Sequence, residues 1–553
     1  MEKKTIKIGI ILTSLFMLIG IATLGDYGLT WDFHFHFFSG AHFFALTPGE
    51  VEPRALPYVE PDPRNAVRLP YGPFVQIVPF ASWLLFYKNL QVLPFDVAYN
   101  LPIVMVGVLG IGVLYFFLAE AINWKVGLIA ALFLALTPRY FADIHNDMKD
   151  APMAAVFALN MWMLWRLVKY RRVKDLVFAS IAFALAFNTK INSIFIPVIF
   201  ACWLILLQIL NTKHKILNNV QNPKSQKLKP FRILNLGHLN LFRISNLEFR
   251  IWSYFLLAPI AAFAVWWFFW SDPIGQLKLA VSTFGGGADN IEVLLNGQWF
   301  CAGSSVPWYY PLWYLAITTP LPILLLFLIG FMRSPPLLLL WLFLPLTRYL
   351  LPKIAVIDGV RHFEEVLYPL AAIAAIGAVS LLRKIKNTKL TACILAVAFI
   401  ILLGNIVLYH PYQIAYYNEL VGGAKGAFGK YDLDYWGSSQ KKAVEWLNNH
   451  AEKNASITII MAGNVAGTYL RPDLLNRLNA MPLESADYAV ILNRQSFFYR
   501  FLKVFDYLLT HKPIHAITVD NTPLVWIFDN RLPKTPRQTP WWKGEDPCIR
   551  RYW

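Results

Sequence analysis

Charge is scarce in this chain. Of its 553 residues only 15% are Asp, Glu, Lys or Arg, while 57% are hydrophobic and 16% aromatic. Soluble domains carry about 25% charged residues, so the composition excludes an ordinary soluble enzyme. Nucleotide motifs are missing as well. Gly429-Lys430 lacks both the earlier Gly and the following Ser or Thr of a phosphate-binding loop, and Gly285-Gly286-Gly287 reads as a flexible turn. An ATP-driven transporter is therefore unsupported, and no G-x-S-x-G nucleophile elbow is present. No small-residue cleavage site follows the apolar run from Ile8 to Leu24, so that run reads as a retained first helix. No internal repeat is evident. Of the four cysteines, Cys202 and Cys393 sit in apolar runs as packing residues.

What is present are apolar runs long enough to cross a bilayer as helix. They fall at roughly 8–25, 97–119, 126–142, 151–168, 175–188, 193–210, 252–270, 309–331, 335–352, 364–382 and 390–408, about eleven spans. The net charge is +17, but Lys and Arg gather in short loops instead of forming a nucleic-acid face. Lys3, Lys4 and Lys7 form one basic set. Arg166, Lys169, Arg171, Arg172 and Lys174 form the next, eight more lie between 211 and 250, and Arg383, Lys384, Lys386 and Lys389 close the series. The positive-inside rule places these loops and the N-terminus in the cytoplasm, where they can also grip anionic lipids. The expected architecture is an all-α polytopic membrane domain over 1–408. Its outer loops are 26–96, 143–150, 271–308 and 353–363. Cys301 and Cys548 both fall on the outer side, where a disulfide between them is permitted.

Gly72 to Tyr87 is apolar, aromatic and interrupted by Pro79, and reads as an interfacial helix. After residue 408 the pattern changes. Short β-rich runs at Ile457–Met461, Tyr488–Leu492, Ala516–Val519 and Val525–Phe528, with a helical pattern over Ser439–His450, predict a small α/β domain over 409–553 outside the membrane.

Ionisable groups at a membrane edge are costly and are candidates for function. Those on the outer side are Asp32, His34, His36, His145, Asp147, Lys149, Asp150, Lys190, Arg348, Asp358, Arg361 and His362. The aromatic residues around Asp32 (LTWDFHFHFF) are explained by an interfacial belt with a helix capped by Thr30 or Asp32. The acid itself is less well explained. Among Trp and Phe its pKa should rise, which suits a general base. His34 and His36 diverge on a helix, and no spacing fixes further metal ligands. In His145-Asn146-Asp147-Met148-Lys149-Asp150-Ala151-Pro152, a helix start accounts for Asp150 as cap and for Pro152. It does not account for His145, Asp147 and Lys149. Lys190, in the turn Asn188–Asn192, either snorkels or binds phosphate. Arg361 and His362 suit a phosphate clamp. Asp432 and Asp434, beside Tyr435 and Trp436, either contact an acceptor glycan or cap and anchor the domain.

In order and common side, Asp32, Pro73, Lys149-Asp150-Ala151-Pro152, Lys190 and Arg361-His362 before Pro369 resemble a known pattern. It is that of the GT-C fold membrane glycosyltransferases, in particular the protein O-mannosyltransferase and aminoarabinose-transferase superfamily. The resemblance covers about 1–410. It implies a sugar donor carried on polyprenyl or dolichyl phosphate, an acceptor hydroxyl on a glycan, lipid or protein, and an outward-facing inverting site. Asp32 would be the base and Asp150 would position sugar or acceptor. Lys190, Arg361 and His362 would stabilise the leaving phosphate. It also implies a bacterial inner membrane. Two departures stand out: Phe33 follows Asp32 where members often carry a second acid, and only Arg64 and Arg68 lie near the interfacial stretch. Some members need a divalent metal and others none, and the sequence does not decide. A transporter or flippase of lipid-linked glycans is the alternative, though transporters place polar groups near mid-bilayer and often show inverted repeats. A non-catalytic scaffold is the third reading.

Overall fold

Apolar sequence without internal charge must satisfy its backbone polar groups within the segment, and in lipid the helix does so. In the computed structural model each of the eleven apolar segments carries helix. The structure describes residues 1–51, 71–220, 246–266, 270, 272–286, 291–351, 354, 356–385, 388–501, 503–540 and 548; Arg64 and Arg68 lie outside them. Among the described residues, five helices are long and apolar enough to cross a membrane alone: Lys3–Asp26, Phe95–Ala121, Asp150–Tyr170, Ile191–Leu210 and Arg361–Leu382. The pair Trp124–Ala135 and Pro138–Asn146, bent by 69°, has the length and composition of a broken span or a re-entrant loop.

The other expected spans are shorter or broken, and proline explains two of the breaks. Pro320 splits the 309–331 run into Tyr310–Thr318 and Leu321–Phe331, and Thr319 before it is extended at φ −93°, ψ 132°. Thr137 before Pro138 is likewise extended at φ −79°, ψ 114°. Steric conflict between a proline ring and the residue before it disfavours helix there. Small residues then allow close crossings. A Cβ on Gly330 would lie 1.9 Å from the Ile373 carbonyl oxygen, and one on Gly377 would lie 1.9 Å from that of Leu326. This is the small-residue contact that joins helices in lipid.

The helices that build the site are α1 (Lys3–Thr23), α2 (Phe33–Phe43), α3 (Pro73–Trp83), α4 (Phe95–Ala121), α5 (Pro138–Asn146), α6 (Asp150–Tyr170) and α7 (Val173–Phe187). The late β-rich runs form one four-stranded mixed sheet, with β3 (Ile457–Ile460), β4 (Tyr488–Leu492), β5 (His515–Val519) and β6 (Thr522–Asp529) in the order β3-β4-β6-β5. β3 and β4 are parallel and the other pairs antiparallel. A hairpin the sequence did not announce, β1 (Glu292–Leu295) and β2 (Gln298–Cys301), lies earlier in the chain. Cys301 is joined to Cys548 with their Cα atoms 5.5 Å apart.

One expectation is corrected by the packing. Phe33, Phe37, Phe80 and Trp83 are not an interfacial belt. They are fully buried, in one apolar cluster with Val444, Leu447, Val490 and Ile527 of the C-terminal segment. Helices α2 and α3 are therefore held against the sheet, and Asp32 at the head of α2 is held with them.

Candidate active site

Four separate stretches converge at the end of α1. Asp32 precedes α2 and makes no capping hydrogen bond with its side chain. The second stretch is the α5–α6 connection. Here the Asp147 carboxylate accepts from the backbone N–H groups of Lys149 and Asp150, both at 3.0 Å. Asp147 thus does the capping work expected of Asp150, and Asp150 is released for other partners. Third, Tyr71 and Lys190 form an antiparallel bridge, with Phe74 donating to the Asn188 carbonyl at 3.2 Å. A Cβ on Gly72 would lie 1.8 Å from that carbonyl oxygen, so this approach requires glycine. Fourth, Asp358 and Gly359 both adopt positive φ, at 54° and 66°. That turn brings the Asp358 carboxylate back onto Arg361.

The result is one ion-pair network. Lys149 pairs with Asp32, and Lys190 pairs with Asp150. Arg361 lies 2.6 Å from Asp358, 3.5 Å from Asp150 and 3.7 Å from Asp32. Arg494 reaches the other Asp358 oxygen at 2.7 Å. Within these pairs four cations face three carboxylates, and further buried acids, Asp143, Asp147, Glu364 and Glu365, stand close by. The Lys149, Lys190, Arg361, Asp150 and Asp358 side chains are almost wholly buried, whereas the Asp32 side chain remains 39% exposed. Arg361 also lies over the Trp436 ring at 5.1 Å, and Lys149 over Tyr71 at 4.8 Å.

The electrostatics overturn one expectation. Burial does push the Asp32 pKa up, but the Lys149 ammonium and the Arg361 guanidinium outweigh it and hold the carboxyl well below its ordinary range. Asp32 is ionised, and it is a weaker base than its aromatic neighbours alone would make it. The Asp147 carboxyl moves the other way, pushed up by burial and by Asp150 and Asp143.

Not every expected residue joins the network. His145 is buried on α5 with both ring nitrogens engaged, one with Thr23 at 2.9 Å and one with the Phe141 carbonyl at 2.6 Å, and its ring stacks on Tyr27. It locks α5 to α1. Asp147 acts as the local cap. The His362 carbonyl accepts from Arg348 and Asn192, while its Nε2 is buried without a partner. His34 and His36 diverge as expected of a helix: His34 meets Asn464 at 3.2 Å, and His36 points toward Tyr71. Asp434 takes the capping role, accepting from the N–H groups of Gly437 and Ser439, each at 2.8 Å. Arg494 and Tyr71 are participants that sequence reasoning missed. Arg494 lies 136 residues beyond Asp358, and no spacing signals it.

Beside the network runs an apolar groove of about 370 Å³, lined by Val75, Pro79, Val106, Met148, Pro152 and Thr189 among others. Met148, Pro152 and Thr189 are chain neighbours of Lys149, Asp150 and Lys190. Among the described residues, no group of three or more His, Cys, Asp or Glu side chains is arranged to hold a metal ion. The acids of the network are instead neutralised by lysine and arginine, a donor set that does not fit a divalent cation.

Comparison with known proteins gives three findings. The search of curated proteins returns no match. The chain superposes on ArnT from Cupriavidus metallidurans bound to undecaprenyl phosphate with a TM-score of 0.48, at 12% identity, covering 94% of this chain and 97% of that one. It also superposes on the archaeal oligosaccharyltransferase AglB from Archaeoglobus fulgidus, in complex with an inhibitory peptide and a dolichol-phosphate. There the TM-score is 0.39 at 14% identity, covering 88% of this chain and 69% of that one. Likenesses this distant say nothing about individual residues. Residues 79–220 match the family model for dolichyl-phosphate-mannose-protein mannosyltransferase. That segment contains Lys149, Asp150 and Lys190, and over it the resemblance read from the sequence, to the protein O-mannosyltransferase superfamily of membrane glycosyltransferases, is borne out.

Proposed function

We propose that this protein transfers a sugar from a polyprenyl- or dolichyl-phosphate carrier to an acceptor hydroxyl at the outer face of a membrane. One observation carries the reading: an apolar groove lies beside a buried cluster of cations, Lys149, Lys190 and Arg361. A lipid phosphate has the matching form, an apolar tail and an anionic head. The matched family description names such a donor.

In this reading Lys149, Lys190 and Arg361 bind the phosphate and stabilise the charge that grows on it as it leaves. Asp32, the exposed acid of the network, takes the proton of the acceptor hydroxyl. The oxygen forms a bond to the anomeric carbon as the carbon–oxygen bond to the phosphate breaks, and the phosphate keeps the electron pair. The sugar is inverted in this single displacement. Asp150 fixes Lys190 and Arg361 and does not itself move a proton. The topology proposed with it has eleven crossings in a bacterial inner membrane. The N-terminus is cytoplasmic, residues 1–408 are the membrane domain, and 409–553 lie outside. The bent, short and Pro-broken helices supply the crossings beyond the five helices that length alone supports.

The test is purified protein in proteoliposomes with a panel of polyprenyl-phosphate sugars, alongside Asp32→Asn. Covalent transfer by the wild type and its loss in the variant support the reading. Movement of a lipid-linked glycan across the bilayer without covalent transfer would replace it with the flippase.

A further inference from the structure

His36 stands one helical turn after Asp32 on α2, with its backbone N–H donating to the Asp32 carbonyl at 3.4 Å. Residues four apart share a helix face, so His36 points the way Asp32 does. The side chain is fully buried, and neither ring nitrogen has a hydrogen-bond partner. Its ring sits edge-on to Tyr71 with centroids 4.8 Å apart, and Lys149 lies over the same Tyr71 ring, also at 4.8 Å. The charges that act on it are Lys149, Asp32, Asp150 and Arg361, the members of the network itself.

Two orphan nitrogens in the interior are costly. A buried polar group left without a partner carries a desolvation penalty, and native structures satisfy nearly all such groups. An apolar residue of similar shape would remove that cost, as Phe33 and Phe37 do on the same helix. The imidazole is therefore placed for a partner outside the protein chain. Burial, with Lys149 beside it, pushes its pKa down to about 3. The ring is accordingly neutral, with one N–H to donate and one nitrogen to accept. A sugar phosphate offers the complement, with phosphate oxygens that accept and hydroxyls that donate.

We infer that His36 is a substrate-binding residue whose imidazole hydrogen-bonds the sugar-phosphate head group of the lipid-linked donor between Asp32 and Tyr71. The inference rests on the proposed transferase reading and adds a contact to it.

The experiment compares wild type, His36→Phe, His36→Leu and His36→Gln in detergent, using undecaprenyl phosphate as binding probe and the same donor panel for turnover. Both apolar variants should weaken the probe or raise the donor KM about ten- to hundredfold, the cost of a lost hydrogen bond to a charged group. His36→Gln restores a donor and an acceptor and should stay within about threefold. Thermal unfolding separates the site from a structural role, since the apolar variants should melt no lower than the wild type. Unchanged probe affinity and KM in both apolar variants overturn the inference, as does a lowered melting point with binding intact. Weakened probe binding in a protein that transfers no sugar would uphold the His36 contact and reject the transferase reading.

Discussion

Asp150→Asn isolates the most deeply buried ion pair of the site. The substitution keeps the side chain's shape and removes its charge. Asp150 is fully buried, and its partner Lys190 is 4% exposed. Arg361 keeps Asp358 and Asp32 after the change. Among the described residues, Lys190 makes no second ion pair, and Glu365 acts on it only at longer range. An uncompensated buried charge costs about 3–5 kcal/mol. The Asn carbonyl still accepts from the ammonium, which places the expected loss near the lower end, about 3 kcal/mol. Replacing a whole buried pair by apolar groups is often neutral, so Asp150→Asn combined with Lys190→Met should regain most of that stability. Equilibrium unfolding in detergent micelles measures the cycle, and donor KM is read on the same samples. Stability should recover in the double variant while donor affinity does not, because the proposed phosphate ligand Lys190 is gone. Effects that add within about 0.5 kcal/mol would refute the pairing.

Three further outcomes follow from single positions. Asp32→Asn should lower transfer by about 10²–10⁴-fold, the usual worth of a general base, with helical content by circular dichroism retained. Gly72→Ala should force the Tyr71–Lys190 bridge apart, because its Cβ meets the Asn188 backbone at 1.8 Å. A loss of about 1–3 kcal/mol, as for overpacking, and weaker donor binding are expected, and an unchanged melting curve would contradict the close approach. Cys301→Ser should cost about 2–4 kcal/mol. A non-reducing peptide map in which Cys301 and Cys548 of the wild type are not linked would contradict the bridge.

Much of this was legible in the sequence because its signals are local. Apolar length announced Phe95–Ala121 and Arg361–Leu382, and short β-rich runs announced Ile457–Ile460 and Tyr488–Leu492. Loop charge alone predicted a common side for Asp32, Lys149, Asp150, Lys190 and Arg361, and the structure joins the five in one network. What stayed hidden depends on contacts between distant stretches. Nothing near Asp150 shows that Asp147, three residues earlier, takes the capping role, because either aspartate satisfies the same local pattern. The aromatic residues around Asp32 fit an interfacial belt as well as a core. Only the C-terminal sheet, more than four hundred residues away, decides for the core. His145 was polar, near the cluster and on the correct side, yet α1 and α5 absorb both of its nitrogens.

In the proposed reading, the pairing of Asp32 with Lys149 makes the site one that the substrate must switch on. A carboxylate held below its ordinary pKa is ionised at every physiological pH, but its affinity for a proton is weakened by tenfold for each unit of depression. The ionised form is the one stabilised by Lys149 and Arg361. That contribution is complete above the ordinary carboxyl range and is lost only as pH falls through the depressed pKa. The proposed base is thus formed but restrained. A donor phosphate arriving beside Lys149 and Arg361 would compete for both cations, and the pKa of Asp32 would rise toward a useful value when the leaving group is in place. Lys149→Gln removes the larger of the two restraints permanently. Burial then acts on Asp32 with less opposition, so its pKa moves up, and the acid limb of the kcat/KM profile should shift from strongly acidic toward mildly acidic pH. The same variant should bind donor more weakly, because a phosphate ligand is lost. An acid limb that stays where the wild type has it would show that Lys149 does not govern Asp32, and the coupling of donor binding to base activation would fall with it.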